Sequence, residues 1–147
     1  MVTFGAGRGS LARLRSGSVT RLASTLILLV GLANLLPVVG VLSATRVQVL
    51  YGVALEDPNL VILMRHRAVL FGVVGGLLVA SAFHAPLRLV GLIVGLTSMV
   101  SFILIAWLVG NYSAELRRVV RVDVLASLAL VGAAILDRLA SAGRAAA

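Results

Sequence analysis

The sequence predicts an all-α membrane protein, a four-transmembrane-helix bundle with an interfacial segment between helices 1 and 2. The chain has 147 residues, which is the length of a single domain. Hydrophobic residues make up 61% and charged residues 12%, where a soluble domain carries roughly 25% charged residues. The mean hydropathy of +1.13 agrees with four apolar stretches that need lipid as their solvent.

The first predicted span follows a basic arm at residues 1–20. The apolar stretch from Leu22 to Ser43 is about 22 residues long, too long for the core of a signal peptide and long enough to cross a bilayer. An organelle transit peptide is the alternative interpretation of this arginine-rich start. Pro37 predicts a kink, because it cannot donate a hydrogen bond to the carbonyl of Ala33. Asn34 is predicted to bond freed backbone or a neighbouring helix, with a ligand contact as the alternative.

Residues 44–56 connect the first and second spans. Val47, Val49, Tyr51 and Val53 alternate with other residues. This pattern fits either a short strand or a segment that lies on the membrane surface.

The second and third spans are predicted to form an antiparallel hairpin. Asp57 and Pro58 are a typical helix start, with an N-cap followed by proline at the first helical position. From there the helix can run to Phe83, roughly 39 Å at 1.5 Å per residue, longer than the hydrocarbon core of about 30 Å. A short turn at residues 84–86 leads into the third span, Leu87 to Gly110, which ends near an aromatic belt residue, Trp107.

The fourth span has the weakest signal. Its uninterrupted apolar sequence, Val124 to Leu136, is only 13 residues long. To reach about 20 residues it must take in charged residues at both ends, Arg121 and Asp123 on one side and residues 137–138 on the other. Three spans with an interfacial helix are the alternative. The transmembrane domain is placed at 21–140, with a flexible tail at 141–147.

Arginine counts give the orientation. The side that carries the N-terminus has seven arginines and the other side six, a small excess. The first flank contains no acidic residue before Glu56, which favours a cytoplasmic N-terminus by the positive-inside rule. Four spans then place both termini in the cytoplasm. The predicted location is the inner or plasma membrane of a bacterium, because all 13 basic residues are arginine and none is lysine.

Glycine pairs are the predicted helix-packing positions. Gly72 and Gly76 in the second span, and Gly91 and Gly95 in the third, are each four residues apart. Small residues at this spacing let two helix backbones approach closely. Packing within the bundle is the main interpretation, and a homodimer face is the alternative.

One charged cluster is the candidate ligand-binding site. Antiparallel topology puts the start of the second span and the start of the fourth on the same side of the membrane. The candidate residues are Arg65, His66, Arg67, Arg118, Arg121 and Asp123. Arginine forks can bind an anion, a lipid headgroup or a quinone head. The alternative is that these residues anchor the helices at the interface.

Other chemistries are excluded by what the sequence lacks. Without cysteine there are no disulfides and no thiolate metal sites. We find no catalytic motif and predict no metal and no cofactor. His66 and His84 lie at opposite ends of one predicted helix, roughly 27 Å apart, which rules out a haem held by both. The arginines flank apolar spans, so the predicted partners are membrane lipids and not nucleic acid. A membrane-protein partner or a homodimer is also considered.

Part of the chain resembles small four-helix bacterial membrane proteins of the DoxX-like group. The resemblance covers roughly residues 22–140 and is carried by the runs Leu50–Gly52, Asp57–Leu60 and Arg65–Gly72. It implies an inner-membrane bundle and, in some members, association with redox complexes. The cysteines through which some members act are absent, and no catalytic residue carries over. Nothing here resembles the histidine-bearing phosphate motif of phosphopantetheine adenylyltransferase.

These observations favour a non-enzymatic accessory subunit or partner-binding protein. The first alternative is a redox-associated protein that binds lipid or quinone at the arginine cluster. The second is a small dimeric transporter. No acid or base is placed at the middle of a span, which argues against proton coupling.

Overall fold

The protein is an all-α bundle of four helices in a computed structural model that describes residues 6–41 and 57–145. The helices are α1 (Ala6–Leu35), α2 (Pro58–Phe83), α3 (Arg88–Val109) and α4 (Ala114–Ala145), with 3₁₀ segments at Leu36–Val41 and Ala85–Leu87. Four segments are long and apolar enough to cross a membrane, α4 included, as the fold class predicted. The predicted interfacial segment at 44–56 lies outside the described residues.

Local sequence signals account for the helix ends. The Asp57 side chain accepts a hydrogen bond from the Asn59 backbone N–H, and Pro58 takes the first helical position, as predicted. The α-helical part of α1 stops at Leu35, two residues before Pro37, and the chain continues as 3₁₀ helix. The predicted proline distortion is therefore a change of helix type, because the proline removes a donor from the α-helical ladder.

The four helices form a closed ring in which each packs against two neighbours. α1 lies along both α2 and α4, and α3 lies along the same two helices. The centre of the ring holds small and medium side chains from every helix: Ala23, Ile27, Leu78, Met99, Leu130 and Ala133. Long apolar side chains such as Leu29 and Leu128 are exposed instead, which suits a lipid-facing surface.

Both ends of the chain are more helical than expected. α1 already begins at Ala6, inside the basic arm, and α4 continues to Ala145. Residues 141–145 of the tail predicted at 141–147 are helical. Ala140 is buried, and Arg144 donates a hydrogen bond to the Thr20 hydroxyl of α1, so this end of α4 is held by a neighbouring helix.

Glycines set the closest helix contacts, but not all at the predicted positions. A Cβ at Gly91 would lie 2.6 Å from the Ser81 hydroxyl oxygen, and one at Gly95 would lie 3.0 Å from a Leu130 methyl carbon. These two positions are packed, as predicted. Gly72 faces the Val38 side chain at 3.2 Å. Gly76 is exposed, with nothing within 4 Å of its Cβ position, so its predicted packing within the chain is wrong.

The tightest approach of α1 and α2 involves Gly75, which the sequence did not single out. A Cβ on Gly75 would lie 2.9 Å from the Gly31 carbonyl oxygen, and a Cβ on Gly31 would lie 2.9 Å from the Val79 backbone nitrogen. Each glycine thus makes room for the other helix's backbone. The two backbones could not come this close with any side chain at either position.

Candidate functional site

A cavity of about 370 Å³ lies between α1, α2 and α4, at the end of the bundle where α2 and α4 begin. Asn34 and Pro37 line it from α1 and the following 3₁₀ segment, and Phe71 lines it from α2. α4 contributes a row of residues one turn apart: Glu115, Arg118, Val119, Val122, Asp123 and Ala126. Exposed Leu36 and Val122 border the cavity, so it opens on the lipid-facing side of the bundle.

Asp123 is the buried acid of this cavity. Only 8% of the residue is exposed, yet no hydrogen bond or ion pair from another described residue reaches its carboxylate. The positive charge of the Arg67 guanidinium acts on it from α2. Asp123 is buried, lines the cavity and receives no hydrogen-bond donor from the described residues, which makes it the most informative residue in the cavity.

Asn34 contributes a second acceptor. It is 7% exposed, and its amide nitrogen donates to the Val30 carbonyl at 3.1 Å. A carbonyl can only accept, so this bond fixes the side-chain orientation and leaves the Asn34 oxygen as an acceptor. Asn34 was predicted to bond freed backbone or a neighbouring helix. It bonds the carbonyl four residues back in its own helix, and it also lines the cavity.

The cavity rim carries charges of both signs. Glu115 and Arg118 lie one turn apart on α4, close enough for the arginine charge to act on the carboxylate. Both line the cavity, and Arg118 is exposed. The negative charge of Glu115 and the positive charge of Arg118 therefore balance at the rim. The polar side chains of the cavity interior are Asp123 and Asn34.

Arg67 lies beside a second cavity of about 360 Å³, between α2 and α3. Its guanidinium carbon is 4.4 Å from the centre of the Phe102 ring and 5.1 Å from that of the Phe71 ring. These distances are typical of cation–π contacts. Phe71 lines both cavities, whereas Arg67 lines only the second.

The structure thus divides the predicted cluster. Arg118 and Asp123 line the first cavity, and Arg67 lines the second. Arg65, His66 and Arg121 are exposed and line neither cavity. The shared end of the bundle was predicted correctly. An acid and an amide, Asp123 and Asn34, hold the buried positions of the first cavity, and Arg118 is exposed. Whether any of these residues binds a ligand stays a prediction.

No family model, curated protein or solved structure matches this chain. The site is therefore interpreted from its own geometry. Within the described part of the chain, no three histidines, aspartates or glutamates come together as a metal site would require.

Sequence reasoning missed a buried polar cluster at the opposite end of the bundle. Arg88, at the start of α3, is 9% exposed and forms an ion pair of 2.5 Å with Asp137 of α4. A second guanidinium nitrogen donates to the Ser24 hydroxyl of α1. The Arg88 Nε has no hydrogen-bond partner among the described residues. The antiparallel topology places Arg88 and Asp137 on the same side of the membrane. Their opposite charges at that shared end could have predicted the ion pair.

Proposed function

We propose that this protein binds a lipid-like amphiphile in the cavity between α1, α2 and α4. The observation that carries the proposal is the buried Asp123 carboxylate, which faces a largely apolar cavity with no donor from the described residues. Small-molecule sites combine apolar walls with a few polar groups that fix orientation. An amphiphile matches this arrangement, since its chain can stay in the bilayer while its head reaches the acid.

Native mass spectrometry tests this function. Val122 borders the cavity and is 51% exposed, so tryptophan there should fill the opening without disturbing the core. Leu125 is 67% exposed and lines neither cavity, which makes Leu125→Trp the matched control. After gentle extraction, the parent and Leu125→Trp should carry a bound amphiphile and Val122→Trp should lose it. Equal occupancy in all three proteins would contradict the proposal.

The proposed location is the inner or plasma membrane of a bacterium, with both termini in the cytoplasm. Four spans put the termini on one side, and the arginine-rich, acid-free flank before Leu22 favours the cytoplasmic side. The resemblance to the DoxX-like group supports the same location. A reporter that is active only in the periplasm should be inactive when fused after residue 147.

A second candidate function is that of an accessory subunit or homodimer. The observation that favours it is Gly76, which is exposed on α2 beside the exposed Val73. An uncovered glycine is a place where a helix from another chain could approach closely. Gly76→Leu should then abolish association without changing the stability of the isolated chain. Unchanged association in cross-linking experiments would remove this candidate.

A further inference from the structure

The interior of the cavity presents hydrogen-bond acceptors. The Asp123 carboxylate has two acceptor oxygens, and the Asn34 amide oxygen adds a third. The Asn34 nitrogen donates one hydrogen to the Val30 carbonyl and keeps one further N–H. Both residues are more than nine-tenths buried. Arg118 is exposed, and the guanidinium of Arg67 lies over the Phe71 ring and lines the second cavity.

This arrangement selects the head of the ligand. We infer that the cavity prefers an amphiphile whose head donates hydrogen bonds to Asp123, a hydroxyl or a protonated amine, over one whose head only accepts. The inference rests on the proposed function and specifies its ligand class. Phosphate, carboxylate and oxidised quinone heads offer acceptors alone at neutral pH, so each would place oxygens against the oxygens of Asp123.

The surrounding charges leave both donor heads possible. Glu115 and Arg118 line the cavity near its rim, and Arg67 lines the neighbouring cavity. Groups of both signs therefore surround the site, and an uncharged hydroxyl fits as well as an ammonium. What both heads share is a donor for the Asp123 carboxyl group, which receives none from the described residues.

A matched series of amphiphiles tests the ligand class. Cetyl alcohol, cetylamine, palmitic acid and cetyl methyl ether share a chain and differ in the head. Each is incubated with the full-length protein in nanodiscs, and the bound fraction is measured by native mass spectrometry. We expect the alcohol or the amine to bind about tenfold better than the acid and the ether, the size of one hydrogen bond to a charged group. The ranking of alcohol and amine identifies which donor is used.

Two carboxylate-to-amide variants localise the effect. Asp123→Asn should reduce the preference for donor heads about tenfold, because it replaces a charged acceptor by a neutral amide. Asp57→Asn makes the same chemical change at an exposed N-cap, where asparagine caps as well as aspartate, and should leave binding unchanged. If Asp123→Asn fails to fold, the ranking of the four heads on the parent protein still decides the question.

The outcomes separate the ligand class from the proposed function. Equal or better binding of palmitic acid or the ether, lost in Val122→Trp, would overturn the donor-head inference while leaving amphiphile binding in this cavity intact. If no amphiphile binds the parent better than Val122→Trp, both the inference and the proposed function fail. Donor preference that persists in Asp123→Asn would also overturn the inference.

Discussion

Two adjacent glycines of α2 provide a sharp test of the helix packing. A Cβ on Gly75 would lie 2.9 Å from the Gly31 carbonyl oxygen and 3.0 Å from two Leu35 side-chain atoms, whereas a Cβ on Gly76 meets nothing within 4 Å. The leucine can move, but the backbone oxygen cannot move without shifting α1. The two alanine variants therefore have the same composition and the same helix, and they differ only in what the new methyl group contacts.

The expected effects have opposite signs. Alanine in place of glycine inside a helix gains about 0.5–1 kcal/mol from propensity, while overpacking a tight contact costs about 1–3 kcal/mol. Gly76→Ala should therefore raise the free energy of unfolding by up to about 1 kcal/mol. Gly75→Ala should lower it by roughly 0.5–2 kcal/mol, the difference between the two terms.

The measurement is the midpoint of thermal unfolding in a mild detergent, followed by the folded fraction on size-exclusion chromatography. Gly76→Ala should melt at or above the parent, and Gly75→Ala clearly below it. The packing argument would be refuted if Gly75→Ala melted with or above the parent, or if Gly76→Ala were the less stable of the two. Gly31→Ala should behave like Gly75→Ala, because it presses on the Val79 backbone nitrogen from the other helix.

Three other predictions follow from the described contacts. Asp137→Ala should lower the free energy of unfolding by roughly 3 kcal/mol, because it leaves Arg88 buried without its partner. In a double-mutant cycle, Arg88→Leu with Asp137→Leu should lower it by less than the sum of these two leucine variants measured singly. Asp57→Ala should lower the unfolding midpoint by the loss of an N-cap, about 1 kcal/mol, where Asp57→Asn should not. Truncation after Ser141 should destabilise the contact of α1 and α4, measured by protease sensitivity, because it removes the bond from Arg144 to Thr20.

Sequence patterns predicted the elements of this fold well because they depend on local chemistry. Asp57 and Pro58 start α2 as expected, and α3 begins at Arg88 and ends at Val109, within a residue of its predicted ends. The fourth span was the uncertain one, since its apolar core is short. Within it, Asp123 is buried in the bundle and Asp137 pairs with Arg88. The hydropathy pattern could not distinguish these positions from a helix end.

Rotation about the helix axis was the part that sequence could not supply. Gly72 and Gly76 share a face by spacing, but the buried residues of α2 are Ala68, Gly75, Leu78, Ser81 and Ala82. The spacing does not tell whether Gly75 or Gly76 contacts a neighbouring helix. Only the position of α1 decides between them. The same limit applies to the arginine cluster, because spacing placed its members at one end of the bundle and could not state which would be buried.

The two aspartates of α4 show why the cavity, and not the arginine cluster, is the better candidate for binding. Asp137 and Asp123 lie on one helix, near opposite ends of its apolar stretch, and both are sheltered from water. Asp137 receives the Arg88 guanidinium at 2.5 Å, so its charge is used inside the fold. Asp123 is more deeply buried than Asp137 and receives no such donor from the described residues, while an apolar cavity lies in front of it. An acid that served only the fold would be expected to resemble Asp137. The donor that Asp123 does not receive from the described residues is one that a ligand can bring.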